Sequence, residues 1–239
     1  MPFTNRRNFL ISTVAACALG RAGVAAAQFA PKGSGALSKA RRDQLTPAQV
    51  IAELKKGNER FRTAKPAPRN YLEEQRAGAT GQAPAAIVLG CIDSRVPEEI
   101  VFDAGIGDLF VARVAGNVVD EDILGSLEYA CAEAGAKAIV VLGHTDCGAV
   151  KGAIEDVHLG NLTGLLSKLK PAVEATKVDG EKSDKNRAFV AGVARTNVRL
   201  GLESVRHKSP ALADLEAKKT IQIVGALYDV TSGAVEFLA

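Results

Sequence analysis

Short apolar runs that alternate with longer helical stretches are the feature that most constrains this fold. Four such runs, each five to eight residues long, occur at 85–89, 109–114, 138–142 and 221–228. Runs of this length and composition are typical of strands buried on both faces of a sheet. Helical patterns lie between or beside them, at 121–134, 148–157, 162–173 and 184–208. This alternation predicts an α/β fold with a mainly parallel central β-sheet flanked by helices.

The sequence also predicts a helix before this alternating region and an edge strand at its C-terminal end. Thr46 can cap a helix, Pro47 suits its first turn, and Gln49 can bond back to the cap. One face of that helix would carry Val50, Leu54, Gly57 and Phe61. We expect this N-terminal helical arm to lie across a partner subunit. A turn at 231–233 leads into a short run at 234–238, which predicts an antiparallel edge.

The charge distribution argues against a protein that binds nucleic acid. The chain has 239 residues, of which 47% are hydrophobic and 24% charged, as is usual for a globular protein. Its 30 Lys and Arg residues exceed its 27 Asp and Glu residues by three. Residues 1–27 hold three arginines and no acidic residue, so the rest of the chain is formally neutral. A neutral body provides no general field for nucleic acid, and we expect no such partner.

Residues 1–27 have the three-part pattern of an export signal. Arg6 and Arg7 precede a modest apolar run, and small residues end the segment at Ala27. The paired arginines are similar to those of a twin-arginine signal and predict a periplasmic or otherwise exported protein. The apolar run is too short for a transmembrane anchor and is interrupted by Arg21. The alternatives are an amphipathic helix of the mature protein, or lipidation at Cys17. A linker at 28–44 and a single catalytic domain at 45–239 complete the predicted organisation.

Two groups of reactive side chains follow two of the predicted strands. CIDSR (91–95) comes after the first strand, and HTDC (144–147) comes after the third. Ligands of open α/β sheets bind at the carboxyl ends of the strands. Adjacent parallel strands would therefore bring Cys91, His144 and Cys147 together. Two thiolates and an imidazole suit zinc, and three protein ligands with one open position are typical of a catalytic site.

Other interpretations of these cysteines and histidines stay open on residue pattern alone. Cys91 and Cys147 could form a disulfide, because export places a protein in an oxidising compartment. Cys131 lies within a predicted helix without ligand neighbours, so we interpret it as a core residue. His158 and His207 lie among polar residues at helix ends, where surface or capping roles are expected.

The combined motifs resemble those of the β-class carbonic anhydrases. The matching stretches are CIDSR (91–95), GDLFVARVAGN (107–117), GSLEYA (125–130) and VLGHTDCGAVKGA (141–153). The resemblance runs from about Thr46 to the C-terminus. It implies one Zn²⁺ per chain, bound by Cys91, His144 and Cys147.

The same resemblance implies a catalytic pair formed by Asp93 and Arg95. Asp93 would accept a hydrogen bond from zinc-bound water, and Arg95 would hold its carboxylate. When Arg95 releases it, Asp93 could itself become a zinc ligand and fill the open position. The family is known for this closed arrangement.

The resemblance also implies the reaction, the pocket and the assembly. The reaction would be reversible hydration of carbon dioxide to bicarbonate and a proton by zinc-bound hydroxide, which is a lyase activity. Gln82, Tyr129 and Gly148 match substrate-pocket positions, and the family forms dimers or larger even-numbered assemblies, here a homodimer or homotetramer. Hydrolysis of carbonyl sulfide or carbon disulfide on the same fold, and a non-catalytic zinc or thiol protein, are the alternatives.

Overall fold

The computed structural model describes residues 36–238, which form a five-stranded sheet flanked by helices. The strands are β1 (Ala86–Gly90), β2 (Leu109–Arg113), β3 (Ala138–His144), β4 (Gln222–Tyr228) and β5 (Val235–Phe237). Their order across the sheet is β2-β1-β3-β4-β5. The first four strands pair in parallel, and β5 runs antiparallel to β4 at the edge. The predicted fold class is confirmed.

Ten α-helices connect and cover the strands in the described part of the chain. They are α1 (Lys39–Asp43), α2 (Pro47–Arg62), α3 (Tyr71–Gly78), α4 (Glu98–Val101), α5 (Glu121–Glu128), α6 (Gly148–Ile154), α7 (Gly160–Ser167), α8 (Lys170–Ala175), α9 (Arg187–Lys208) and α10 (Pro210–Ala217). A 3₁₀ turn at Ala115–Asn117 follows β2, and a π turn at Tyr129–Glu133 continues α5.

Helices cover both faces of the sheet, which explains why its central strands are apolar throughout. Every residue of β1 and β3 is buried. Val88 and Val140 belong to one core cluster with Leu54 of α2. Ile87 and Ile139, their strand neighbours, belong to a second core cluster with residues of α5, α9 and α10. Because successive strand side chains point to opposite faces, a strand between two helical layers needs apolar residues at every position.

The N-terminal helix begins where the sequence predicts, and its apolar face packs in the core of its own chain. Thr46 caps α2 by accepting a hydrogen bond from the backbone N–H of Gln49, whose side chain bonds back to Thr46. Its apolar face, with Val50 and Leu54 fully buried, packs in the core of the same chain. This face is therefore covered within the chain itself, and the expectation that the helical arm lies across a partner subunit stays a prediction. The chain's own sheet had an uncovered apolar face, and α2 fills it.

Several boundaries differ from the predicted ones. The C-terminal part of the predicted linker 28–44 contains α1, in which Arg42 is buried. The predicted helix 162–173 is divided into α7 and α8, with Pro171 in the first turn of α8. Helices α3, α4 and α10 are short and were not predicted.

The predicted export signal at 1–27, with Cys17, lies outside the described residues, as do residues 28–35 of the linker. Among residues 36–238, no helix combines the length and the hydropathy needed to cross a lipid bilayer.

Candidate metal centre

Three side chains converge where β1 and β3 end side by side. Cys91 follows the last residue of β1, His144 is the last residue of β3, and Cys147 immediately precedes α6. β1 and β3 are hydrogen-bonded neighbours, with Leu89 paired to Val141. The two sulfur atoms and a ring nitrogen of His144 all lie within 4.8 Å of one another, and all three residues are buried. The structure thus brings together the three side chains that the strand-end argument selected.

The imidazole of His144 is prepared to donate a lone pair to a cation. Its Nδ1 lies 2.9 Å from the carbonyl oxygen of Thr145. A carbonyl only accepts, so Nδ1 carries the proton and Nε2 carries the lone pair. Nε2 is buried and has no hydrogen-bond partner among the described residues. A buried polar atom without a partner requires an explanation, and a metal ion supplies one because metal-binding histidines typically donate their other N–H to such a carbonyl.

The two thiols also fit a divalent cation. The N–H of Gly116 donates a hydrogen bond of 3.3 Å to Cys91 Sγ, and Cys147 Sγ lies 3.9 Å from Cys91 Sγ. The hydrogen bond from Cys147 lowers the pKa of Cys91 against the opposing effect of burial, and the N–H of Gly116 lowers it further. The negative sulfur of Cys91, together with burial, raises the pKa of Cys147. The protein alone thus favours one thiolate and opposes a second, so a dication is what would stabilise both.

Neither a disulfide nor a wider cysteine cluster is present among the described residues. The 3.9 Å between Cys91 Sγ and Cys147 Sγ is well beyond the bonded distance of about 2.05 Å. Cys131 is also a free thiol, and burial raises its pKa to about 12. It belongs to the core cluster formed with α5 and α10, which agrees with its interpretation as a core residue.

Asp93 and Arg95 form a two-point ion pair beside this cluster. Arg95 Nε donates to Asp93 Oδ1 at 3.0 Å, and Arg95 Nη2 donates to Asp93 Oδ2 at 2.8 Å. The backbone N–H of Arg95 adds a third hydrogen bond to Oδ1. The side-chain bonds from Arg95 lower the pKa of Asp93 to about 2, against the opposing effect of burial. Asp93 is therefore a carboxylate at neutral pH, with its orientation set by its partner.

Arg95 also connects the two strand-end loops, which the sequence analysis did not foresee. Its guanidinium donates to a side-chain oxygen and to the carbonyl oxygen of Asp146, at 3.2 and 3.1 Å. Asp146 has a φ of 58° and forms a second ion pair with Lys151. The HTDC motif placed Asp146 between two candidate ligands, but the pattern alone did not show which way its side chain points.

An apolar cavity of about 420 Å³ lies against the cluster. Cys91 and Asp93 form its polar part. The remainder consists mainly of small and aliphatic residues: Ile92, Ala115, Gly148, Ala149, Gly152, Val157, Leu162 and Leu166. Gly148, one of the three expected pocket residues, lines this cavity. A small nonpolar molecule could occupy such a space beside the three candidate ligands.

The other two expected pocket residues do not line this cavity in their own chain. Gln82 is exposed and precedes β1, whereas the cluster follows β1. The two ends of β1 lie roughly 15 Å apart, because each residue rises about 3.3 Å along a strand. Tyr129 is 53% exposed and packs edge-on against Phe110, with ring centres 6.0 Å apart, in a different groove.

Comparisons with known proteins agree with this architecture. A family model described as carbonic anhydrase matches residues 86–235. Carbonic anhydrase 2 of Mycobacterium tuberculosis is 37% identical over 193 residues, which cover 78% of this chain and 90% of the relative. The carbonic anhydrase of Mycolicibacterium smegmatis is 38% identical, with 80% and 92% covered. A tetrameric β-carbonic anhydrase of Sordaria macrospora superposes with a TM-score of 0.60 at 30% identity, covering 67% of this chain and 83% of that one.

Proposed function

Because this chain belongs to the carbonic anhydrase family, in its β class, we propose that it hydrates carbon dioxide reversibly, using one zinc ion held by Cys91, His144 and Cys147. The observation that carries the proposal is the buried Nε2 of His144, which has no hydrogen-bond partner among the described residues and lies beside two free thiols. Zinc bound there would supply a water molecule of lowered pKa, and hence a nucleophile at neutral pH. Three protein ligands favour a catalytic zinc over a structural one, which has four.

Asp93 would orient the attacking water. Its Oδ2 lies 3.9 Å from His144 Nε2, at the edge of the cluster. With a pKa near 2, the carboxylate can only accept hydrogen bonds, so it fixes the direction of an O–H bond and leaves an oxygen lone pair free. Arg95 holds the carboxylate at two points and keeps it from joining the cluster. If Arg95 released the carboxylate, Asp93 could become the fourth zinc ligand.

The cavity would hold carbon dioxide beside that water. Its walls are mostly aliphatic, and they meet the cluster at Cys91 and Asp93. A nonpolar linear gas gains from leaving water for such a surface, whereas bicarbonate is charged and does not. Substrate entry and product release are therefore both favoured by the same walls.

We further propose that the active assembly contains more than one copy of the chain. The related Sordaria enzyme is tetrameric. Gln82 and Tyr129 match pocket positions but are exposed and away from the cavity of their own chain. They could serve a pocket only across an interface between two copies, in a homodimer or homotetramer. Light scattering on the purified protein should give an even number of chains, and a monomer with full activity would contradict the proposal.

Export through the twin-arginine route is the localisation we propose, supported by the pattern of residues 1–27. Replacing Arg6 and Arg7 with lysine should retain the full-length chain inside the cell. Equal export of both forms would count against this route.

The decisive experiment is stopped-flow hydration of carbon dioxide by protein of measured zinc content. One zinc per chain and rapid hydration between pH 7 and 9 are expected. Protein that contains zinc but is inactive with carbon dioxide would refute the proposal. Activity with carbonyl sulfide or carbon disulfide in that case would assign the alternative substrate.

A further inference from the structure

A buried carboxyl group lies directly beneath the loop that carries Cys91 and Asp93. Glu98, the first residue of α4, has no exposed surface. Neither of its side-chain oxygens has a hydrogen-bond partner in the described part of the chain. Burial raises the pKa of Glu98 to about 7. Burying such a group costs several kcal/mol unless a charged partner offsets it, so its position calls for a reason.

Glu98 is in close contact with the end of β1. A Cβ atom added at Gly90 would lie 1.9 Å from Glu98 Oε1. The carboxyl group therefore touches the backbone immediately before Cys91, in space that a side chain at position 90 would occupy.

The charged partner of Glu98 is Arg113, the last residue of β2. Arg113 Nε lies 3.4 Å from Glu98 Oε2. The same Nε donates to the carbonyl oxygen of Cys91 at 2.8 Å, and Nη2 donates to that of Asp93 at 2.6 Å. One guanidinium thus holds two carbonyl oxygens of the loop 91–93, from a neighbouring strand.

The helix itself does not explain why Glu98 is buried. An acidic residue near a helix N-terminus is favourable, but the adjacent Glu99 is exposed and already provides one in the first turn of α4. No side chain caps α4. Glu98 instead faces the guanidinium that holds the loop.

We propose that Glu98 and Arg113 are positioning residues that together fix the loop 91–93. The fixed loop points Cys91 Sγ toward the other two candidate metal ligands and keeps the Asp93 carboxylate within reach of Arg95. Arg113 makes the contacts, and Glu98 holds the guanidinium in place and balances its charge. Residues that orient metal ligands in this way commonly change metal affinity when they are replaced.

Amide hydrogen exchange of the full-length protein tests the proposal without depending on activity. The N–H of Arg95 bonds to Asp93 Oδ1, and the N–H of Val96 bonds to the Asp93 carbonyl oxygen. In Arg113→Gln, these two amides should exchange roughly 10-fold faster, as expected for loss of a charge-assisted hydrogen bond, while the amides of β3 are unchanged. Unchanged exchange at both positions, or faster exchange throughout the sheet, would overturn the proposal.

Zinc affinity, measured by competition with a chromogenic chelator, provides a second readout that rests on the proposed function. Zinc should bind about 10-fold or more weakly to Arg113→Gln, and Glu98→Gln should shift affinity in the same direction. Glu99→Gln and Arg76→Gln, at exposed positions, are the matched controls and should bind zinc like the wild type. Wild-type affinity in both Arg113→Gln and Glu98→Gln would also overturn the proposal.

Two further points keep the test decisive. If Arg113→Gln does not fold, Arg113→Lys replaces it, because lysine keeps the charge but has a single nitrogen for two carbonyl oxygens. If the wild type binds zinc but does not hydrate carbon dioxide, the proposed function fails. The exchange measurement then still judges the role of Arg113, and zinc affinity still judges that of Glu98.

Discussion

The Oδ2 atom of Asp93 lies 3.9 Å from the Nε2 atom of His144, while Arg95 holds the same carboxylate at two points. The carboxylate therefore faces the three candidate metal ligands without joining them. Because Arg95 is also hydrogen-bonded to Asp146, its guanidinium connects the loop after β1 with the loop after β3. The site's geometry depends on this connection as much as on the three candidate ligands.

Asp93→Asn should retain zinc and lose most turnover. The amide is the same size as the carboxylate, but it has an N–H group that can donate to the attacking water and misdirect it. It also lacks the charge that pairs with Arg95. Loss of an oriented hydrogen bond of this kind costs on the order of 100-fold in rate. Stopped-flow hydration with zinc analysis checks the prediction, and Asp214→Asn, at an exposed position of α10, is the control. Near-normal turnover in Asp93→Asn would remove the role given to this residue.

Cys147→Ser should abolish stoichiometric zinc binding, whereas Cys131→Ser should not. Both cysteines are buried free thiols, so the pair separates loss of a ligand from loss of a buried sulfur. A serine hydroxyl is a poor zinc ligand because it stays protonated at neutral pH, while Cys131 has no part in the cluster. Cys131→Ser is expected to lose about 1–3 kcal/mol of stability, the cost of burying a hydroxyl. Zinc per chain and thermal unfolding measure the two effects. One zinc per chain in Cys147→Ser would contradict the ligand assignment.

The sequence was sufficient to predict the sheet and the convergence of Cys91, His144 and Cys147. Both follow from apolar runs and from one rule, that ligands gather at the carboxyl ends of parallel strands. The contacts of Glu98 and Arg113 could not be predicted in this way, since they depend on the path of two loops. Short helices such as α4 also escaped prediction, because four residues carry too little periodicity.

The sequence was a poorer guide to where the expected pocket residues lie than to where the three candidate ligands lie. Gly148 follows the candidate ligand Cys147 directly, so the position of Cys147 determined the place of Gly148 beside the cavity. Gln82 was assigned by resemblance alone and precedes β1, at the opposite end of the strand from Cys91. The amphipathic pattern of α2 led us to expect contact with a partner subunit, but the positions of Val50 and Leu54 show only that a face is buried, not which chain covers it.

Gly57→Ala and Gly78→Ala should have effects of opposite sign on stability. Gly57 lies in α2, where an added Cβ would be 1.8 Å from the carbonyl oxygen of Phe102. The helix would have to move away from α4, at a cost of about 1–3 kcal/mol. Gly78 ends α3 with nothing within 4 Å of an added Cβ, so alanine should stabilise the protein by up to about 1 kcal/mol. Urea unfolding of both variants checks the prediction. Equal effects would mean that the close approach of α2 to Phe102 is absent in solution.

The stability of the protein should depend on pH through Glu98. Its pKa is raised by burial, from an ordinary value near 4.5 to about 7 in the folded chain. The folded state therefore holds this proton more tightly than the unfolded state, and the resulting stabilisation is complete below pH 4.5 and is lost as the pH rises through 7. Glu98→Gln cannot ionise, so it should escape this loss. The free energy of unfolding of Glu98→Gln minus that of the wild type should therefore be up to about 3 kcal/mol larger at pH 8 than at pH 4.5. Urea unfolding of chelator-treated protein across this range gives the measurement, and Glu99→Gln should follow the wild type. Parallel pH profiles for Glu98→Gln and the wild type would show that Glu98 is not a buried titrating group.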